Sequence, residues 1–94
     1  MSDISHVLVY TKNNCTYCEK AKNLLKSLGL AYDELKYENF KSNEELYESI
    51  GKNVRSMPQI KINGELVGGY NQLIEYLVDK GLVNFEGKIV RSDN

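Results

Sequence analysis

Asn63-Gly64 stands between two β-patterned runs, Ile60 and Ile62 before it and Leu66 and Val67 after it. A dipeptide that tolerates positive φ between alternating apolar residues is the strongest short-range hairpin signal, so two antiparallel strands are predicted within residues 57–70. A hairpin alone is marginal in water and needs more strands, or a helix, against its apolar face. The rest of the chain has to supply them.

Upstream, SHVLVYTK (5–12) is a short run rich in β-branched and aromatic residues, suited to a buried strand. Ala21, Leu24, Leu25 and Leu28 then recur at i, i+3, i+4 and i+7, with Gly29 placed for a left-handed cap, which predicts a helix over 16–28. LAYDELKY (30–37) reads as a second strand with imperfect alternation. Ser42 and Glu45 form a capping-box pattern ahead of Leu46, Tyr47 and Ile50, and Gly51 follows, giving a helix over 43–50. After Gly68-Gly69, the residues Tyr70, Leu73, Ile74, Leu77 and Val78 return to helical spacing until Gly81. Residues 82–94 are weakly patterned, and the stretch 85–94 is expected to be weakly ordered.

The order β-α-β-α-β-β-α implies an α/β fold in which a mixed four-stranded sheet is covered by about three helices. Ninety-four residues suit a single domain, 1–94. A net charge of −1 leaves no dominant basic face for nucleic acid or an anionic membrane. No stretch approaches the roughly 20 apolar residues of a membrane span, and MSDISHVLVY lacks the basic start of a secretory signal. A soluble, cytoplasmic chain is expected, and two close cysteines there point to catalysis or metal rather than to a disulfide framework.

Those cysteines, Cys15 and Cys18, fall where the first strand gives way to the first helix. Residues three apart in a strand lie about 10 Å from each other, beyond the roughly 4.4–6.8 Å Cα separation of a disulfide, so the two can bridge only within a helical turn. Cys18 lies three residues before Ala21 on the apolar stripe, whereas Cys15 sits at the helix start, so one sulfur should be exposed and the other sheltered. A helix N-terminus and the cation of Lys12 both favour a thiolate at Cys15. A thiolate beside a second thiol attacks a disulfide and is released by its neighbour, which is thiol-disulfide oxidoreductase chemistry. Zinc within one chain is disfavoured, since no third cysteine exists and His6 is alone. An iron–sulfur cluster shared between chains, with a small thiol completing the ligands, stays open as an alternative. His6 reads as a surface or strand-edge residue.

Lys12-x-x-Cys15-Thr16-Tyr17-Cys18 after a first strand, Ser56-Met57-Pro58-Gln59-Ile60 at the third, and Gly68-Gly69-Tyr70 opening the last helix together resemble a glutaredoxin of the dithiol type, over about residues 5–80. The resemblance implies a thioredoxin-like sheet in strand order 2-1-3-4. It implies Cys15 as nucleophile, Cys18 as resolving thiol, and Pro58, the only proline, as a cis-proline facing them. A cis turn there would leave the Met57 backbone open to an extended thiol peptide. Glutathione is the implied co-substrate, with no metal expected. Lys12 and Arg55 would take its glycyl carboxylate, the helix start at Gly69, Tyr70, Asn71 and Gln72 its γ-glutamyl end, and Tyr17 would wall the cleft.

The chain departs from the family pattern in two respects. Thr16 stands where many dithiol members have proline, and the neutral Asn71 and Gln72 stand where an acidic residue is usual. The function implied is a monomeric enzyme that reduces protein disulfides and glutathione mixed disulfides, with ribonucleotide reductase among the family's clients. A redoxin recharged by thioredoxin reductase and a glutathione-assisted iron–sulfur carrier are the alternatives.

Overall fold

The computed structural model describes residues 4–84; the expectation for 85–94 lies outside them. Strand β1 (Val7–Thr11) leads into helix α1 (Thr16–Ser27), followed by β2 (Asp33–Lys36), a 3-10 turn (Tyr37–Asn39) and α2 (Asn43–Ile50). The hairpin β3 (Gln59–Ile62) and β4 (Glu65–Gly68) precedes α3 (Tyr70–Asp79). The sheet order is β2-β1-β3-β4, with β1 parallel to β2 and antiparallel to β3, as the family resemblance implied. At the hairpin, Asn63 (φ 55°) and Gly64 (φ 85°) both adopt the left-handed conformation that the turn demands. Asn63 does a second job, its Oδ1 accepting the backbone N–H of Ser5 at 2.9 Å and that of His6 at 3.1 Å, which ties the start of β1 to the turn.

Alternation along β1 decides which helix covers which face. Val7 and Val9 join Ile60 and Ile62 on one face, where Ala21, Leu24 and Leu25 of α1 and Leu73 and Leu77 of α3 pack against them. Tyr10 and Leu8 point the other way and meet Leu46 and Ile50 of α2. Each fully buried leucine of this kind contributes about 1.5–3 kcal/mol through loss of apolar contact with water. Tyr10, although buried, keeps its hydroxyl satisfied by donating to the Ser49 carbonyl at 2.9 Å, which fastens α2 to the sheet.

Strand β2 is shorter than the predicted 30–37, and the ends of its neighbours explain this. The Gly29 N–H bonds the Lys26 carbonyl and the Leu30 N–H bonds the Leu25 carbonyl, both at 3.0 Å, so Leu30 closes helix α1 in a Schellman pattern. Tyr37 is drawn into the 3-10 turn. The Ser42 cap is also half of what its sequence pattern suggests. Ser42 Oγ accepts the Glu45 N–H at 3.1 Å, but Glu45 Oε1 reaches past Ser42 to the Lys41 N–H at 3.2 Å. No helix among the described residues is long and apolar enough to cross a membrane.

Candidate active site

Cys15 is the N-cap of α1 in extended conformation, and its Sγ accepts the Cys18 backbone N–H at 3.1 Å. A sulfur thus occupies the place of the oxygen that normally caps a helix, where unpaired N–H groups favour negative charge. Cys15 is half-buried and Cys18 is 1% exposed, the division expected from its place on the core stripe. The two are joined as a disulfide with a Cα–Cα distance of 5.2 Å, within the range only a helical turn provides. Asn14, at φ 56°, turns the chain sharply into the helix, and the Asn13 N–H donates to Glu38 Oε2 at 3.0 Å. That bond, with the Glu38 backbone N–H and then the charges of Lys36 and Lys12, holds the Glu38 carboxyl below its ordinary range.

Across from the pair, the Met57–Pro58 peptide is cis and Cys15 Sγ lies 3.6 Å from the Met57 carbonyl oxygen. The loop is braced by Gln59, whose Nε2 donates to the Ser56 carbonyl at 3.0 Å. Two hollows meet at Ser56 and Met57, which line both. The larger, of about 440 Å³, holds Lys12 and Arg55 together with Tyr37, Asn43, Leu46, Tyr47 and Val54. The smaller, of about 280 Å³, is lined by Tyr17, Pro58, Gly69, Tyr70, Asn71 and Gln72.

The expected binding residues are therefore divided between two hollows that share Met57, whose carbonyl lies 3.6 Å from Cys15 Sγ, with Cys18 buried behind it. Tyr17 stands out into solvent, 54% exposed, its ring 5.6 Å from that of Tyr70 and tilted by 44°. Lys20 Nζ sits 4.9 Å from the centre of the Tyr17 ring, a cation–π contact that steadies the aromatic wall. At the start of α3, the Gly69 N–H is engaged by Gln72 Oε1 at 3.0 Å. The sequence reading did not foresee Tyr37, Asn43, Tyr47 and Val54 as site walls. Tyr47 was legible as part of the α2 stripe, but its closeness to Lys12 depends on the tertiary fold.

Behind the site, Thr11 at the end of β1 is 1% exposed and donates to Glu34 Oε2 at 2.6 Å. Lys22 Nζ reaches the same oxygen at 3.1 Å and Glu19 at 3.0 Å. The Thr11 hydroxyl holds the Glu34 carboxyl below its ordinary value; burial opposes this, and Lys22 and Lys36 reinforce it. Lys22 is raised in turn, chiefly by Glu19 and also by Glu34. This network locks the strand end and the first helix into fixed relative positions. Among the described residues, no group of three or more His, Cys, Asp or Glu side chains gathers to hold a metal ion.

A glutaredoxin family model matches residues 7–67. The chain belongs to the glutaredoxin family. Glutaredoxin 3 of Escherichia coli strain K12 is 37% identical over 71 residues, covering 74% of this chain and 83% of that protein. The solution structure of a glutaredoxin from Brucella melitensis shares 32% identity with a TM-score of 0.63, covering 85% of each chain. A buckwheat glutaredoxin–glutathione complex is 26% identical with a TM-score of 0.66, over 79% of this chain and 69% of that one. With its paired cysteines at the start of α1, this glutaredoxin is a thiol-disulfide oxidoreductase.

Proposed function

We propose that the chain reduces protein disulfides and glutathione mixed disulfides, with glutathione as the source of electrons. The observation that carries this reading is Cys15 Sγ, half-buried on the cap of α1 and 3.6 Å from the carbonyl of Met57, a residue that lines both hollows. The reaction starts from the reduced dithiol. The Cys15 thiolate attacks one sulfur of a substrate disulfide, forming a mixed disulfide and expelling the other sulfur as a thiolate that takes up a proton. Cys18 gives up its proton and attacks the Cys15 sulfur, the second substrate thiolate leaves, and the Cys15–Cys18 disulfide remains. Two glutathione thiols restore the dithiol in the same exchange chemistry and depart as glutathione disulfide, so two electrons pass in each half.

Glutathione is a peptide with a carboxylate at each end, and the cleft has donors at both. In the proposed pose Lys12 and Arg55 take the glycyl carboxylate, the Met57 backbone pairs with the cysteinyl unit by strand addition, and the α3 start takes the γ-glutamyl carboxylate. Tyr17 and Pro58 flank the sulfur. The buckwheat relative is a glutathione complex, which supports glutathione as the ligand. The protein would act as a monomer in the cytoplasm, and no residue described above selects ribonucleotide reductase, or any other client, over the rest.

Coupled turnover tests the reading. With NADPH, glutathione and glutathione reductase, the protein should reduce a glutathione mixed disulfide at a rate proportional to its concentration. Turnover supported by thioredoxin reductase alone, and not by glutathione, would replace this reading with that of a redoxin of a different electron supply.

A further inference from the structure

The larger hollow is more than a carboxylate site needs. Lys12 and Arg55 are two of the nine residues that line its 440 Å³, a volume of about fifteen waters at roughly 30 Å³ each. A glycyl residue, having no side chain, would leave the remainder unfilled. Besides the two cations, the hollow is lined by Tyr37, Tyr47, Leu46, Val54 and Met57, with Asn43 and Ser56 completing it. Its shape is held by bonds made without a ligand. Tyr37 Oη donates to Asn43 Oδ1 at 3.0 Å, pinning the 3-10 turn to α2, and Tyr10 Oη and Lys61 Nζ both donate to the Ser49 carbonyl, at 2.9 and 2.7 Å, pinning α2 to the sheet. No carboxylate lines the hollow, so its two cations share it with aromatic and apolar side chains and with the neutral polar Asn43 and Ser56. Glu38 draws on Lys12 from the neighbouring turn but is not part of the lining.

We propose that this chamber is a specificity pocket for polypeptide substrates whose reacting cysteine is followed by a bulky apolar residue, the neighbouring carboxylate being held by Lys12 and Arg55. The inference rests on the proposed function, because it takes the position that glycine would occupy in glutathione and asks what a larger residue there would meet. A preformed hollow of several hundred Å³ with apolar walls and a few placed charges is the usual form of such a site. Charge complementarity narrows the occupant: two cations without an acid favour an apolar residue flanked by a carboxylate and disfavour one flanked by lysine or arginine. Met57, which lines the chamber and lies beside Cys15 Sγ, places the pocket within one residue of the reacting sulfur along an extended chain.

Two disulfides that differ only at this residue test it: glutathione disulfide, and the disulfide of γ-glutamyl-cysteinyl-leucine, which keeps both carboxylates. The pre-reduced full chain is mixed with each, quenched with acid, and the second-order rate of Cys15–Cys18 oxidation is read by mass spectrometry. The leucyl disulfide should react about five- to tenfold faster, an advantage of the order one apolar side chain in a pocket confers. In Tyr47→Ala, and separately in Tyr37→Ala, the ratio of the two rates should fall to within about twofold of one; taking the ratio in one preparation corrects for any loss of folded protein. Equal rates in the unaltered chain, a preference for glutathione disulfide, or a leucyl preference that survives both substitutions would each overturn the pocket. If neither disulfide reacts, the proposed function itself is wrong and the pocket falls with it.

Discussion

Gln72 Oε1 accepts the Gly69 backbone N–H at 3.0 Å, so the start of α3 is capped by its own third residue. The side chain gets there by folding across Gly68, where a Cβ would come within 2.9 Å of Gln72 Cγ. Gly68 has φ of 125°, a conformation closed to residues with a side chain, so glycine is required there by the backbone and by the cap together. Gly68→Ala should cost more than about 1 kcal/mol, from backbone strain plus the displaced cap. Gln72→Ala, which removes only the cap, should cost about 0.5–1 kcal/mol. Urea unfolding midpoints with unchanged slopes would report both, and equal losses for the two variants would show that strain at Gly68 is absent.

The Thr11–Glu34–Lys22 network predicts a particular pH dependence of stability. Glu34 is held below its ordinary value of 4.5, so its contribution is complete above that pH and is lost as pH falls through the lower folded value. Lys22 is raised above 10.5, so its contribution is complete below that pH and is lost as pH rises through the higher folded value. Between the two limits the network is intact. The Glu34 and Lys22 side chains keep 25% and 15% of their exposure, so screening limits the effect of Glu34→Gln to roughly 0.5–1 kcal/mol at neutral pH. That difference from the unaltered protein should shrink as pH drops below about 4, because protonation then removes the same charge. A difference that stays constant down to acid pH would show that Glu34 acts through packing alone.

The division between an exposed and a buried sulfur gives the clearest kinetic prediction. Cys15→Ser should abolish all thiol transfer, since Cys18, 1% exposed, cannot reach a substrate. Cys18→Ser should retain removal of glutathione from protein thiols, which needs only the first attack and glutathione, and lose reduction of disulfides that depends on the resolving thiol. Assays on a glutathionylated peptide and on a protein disulfide separate the two routes. Substantial activity of Cys15→Ser on either substrate would invalidate the roles given to the cysteines.

The elements were legible where a local rule decided them. Asn63-Gly64 announced the hairpin because its two positive φ angles are chemically demanding, and the stripe from Ala21 to Leu28 announced α1 because one face had to be buried. Helix α2 begins and ends at the expected residues because Ser42 and Gly51 stop it at both ends. Strand β2 was overextended, since whether Leu30 pairs in a sheet or closes a helix depends on the conformation of Gly29. The site's cysteines and the loop around Pro58 carried family motifs. Tyr37, Tyr47 and Val54 carried none, and they join Lys12 only in the fold, from the 3-10 turn, from α2 packed on Tyr10 of the sheet, and from the segment after α2. The same holds for Thr11, Lys22 and Glu34, which lie on three elements and share one carboxylate oxygen. In the sequence they are unremarkable surface types.

Cys15 should be the more reactive thiol for reasons now visible in its surroundings. Its sulfur receives the Cys18 N–H at 3.1 Å, a bond that strengthens when the acceptor is a thiolate, and it stands at the positive end of α1. Together such effects bring thiols at helix starts into the range of about 3.5–7.5 from an ordinary value near 8.5. Lys12 adds a cation whose field is shared with Glu38, the carboxylate bound to the Asn13 N–H. Alkylation of the reduced protein across pH should therefore show one thiol reacting well below pH 8, identified as Cys15 by peptide mapping, with Cys18 reacting only after unfolding. The two charges near the loop should act in opposite directions. Lys12→Glu should move the reaction midpoint up by about half a pH unit and Glu38→Gln should move it down by less, because exposed charges are screened by salt within about 10 Å. Raising the ionic strength should shrink both shifts while leaving the midpoint of the unaltered protein low, since the Cys18 N–H is in direct contact and unscreened. Midpoints that collapse to about 8.5 in high salt would show that Lys12, and not the cap, governs the thiol.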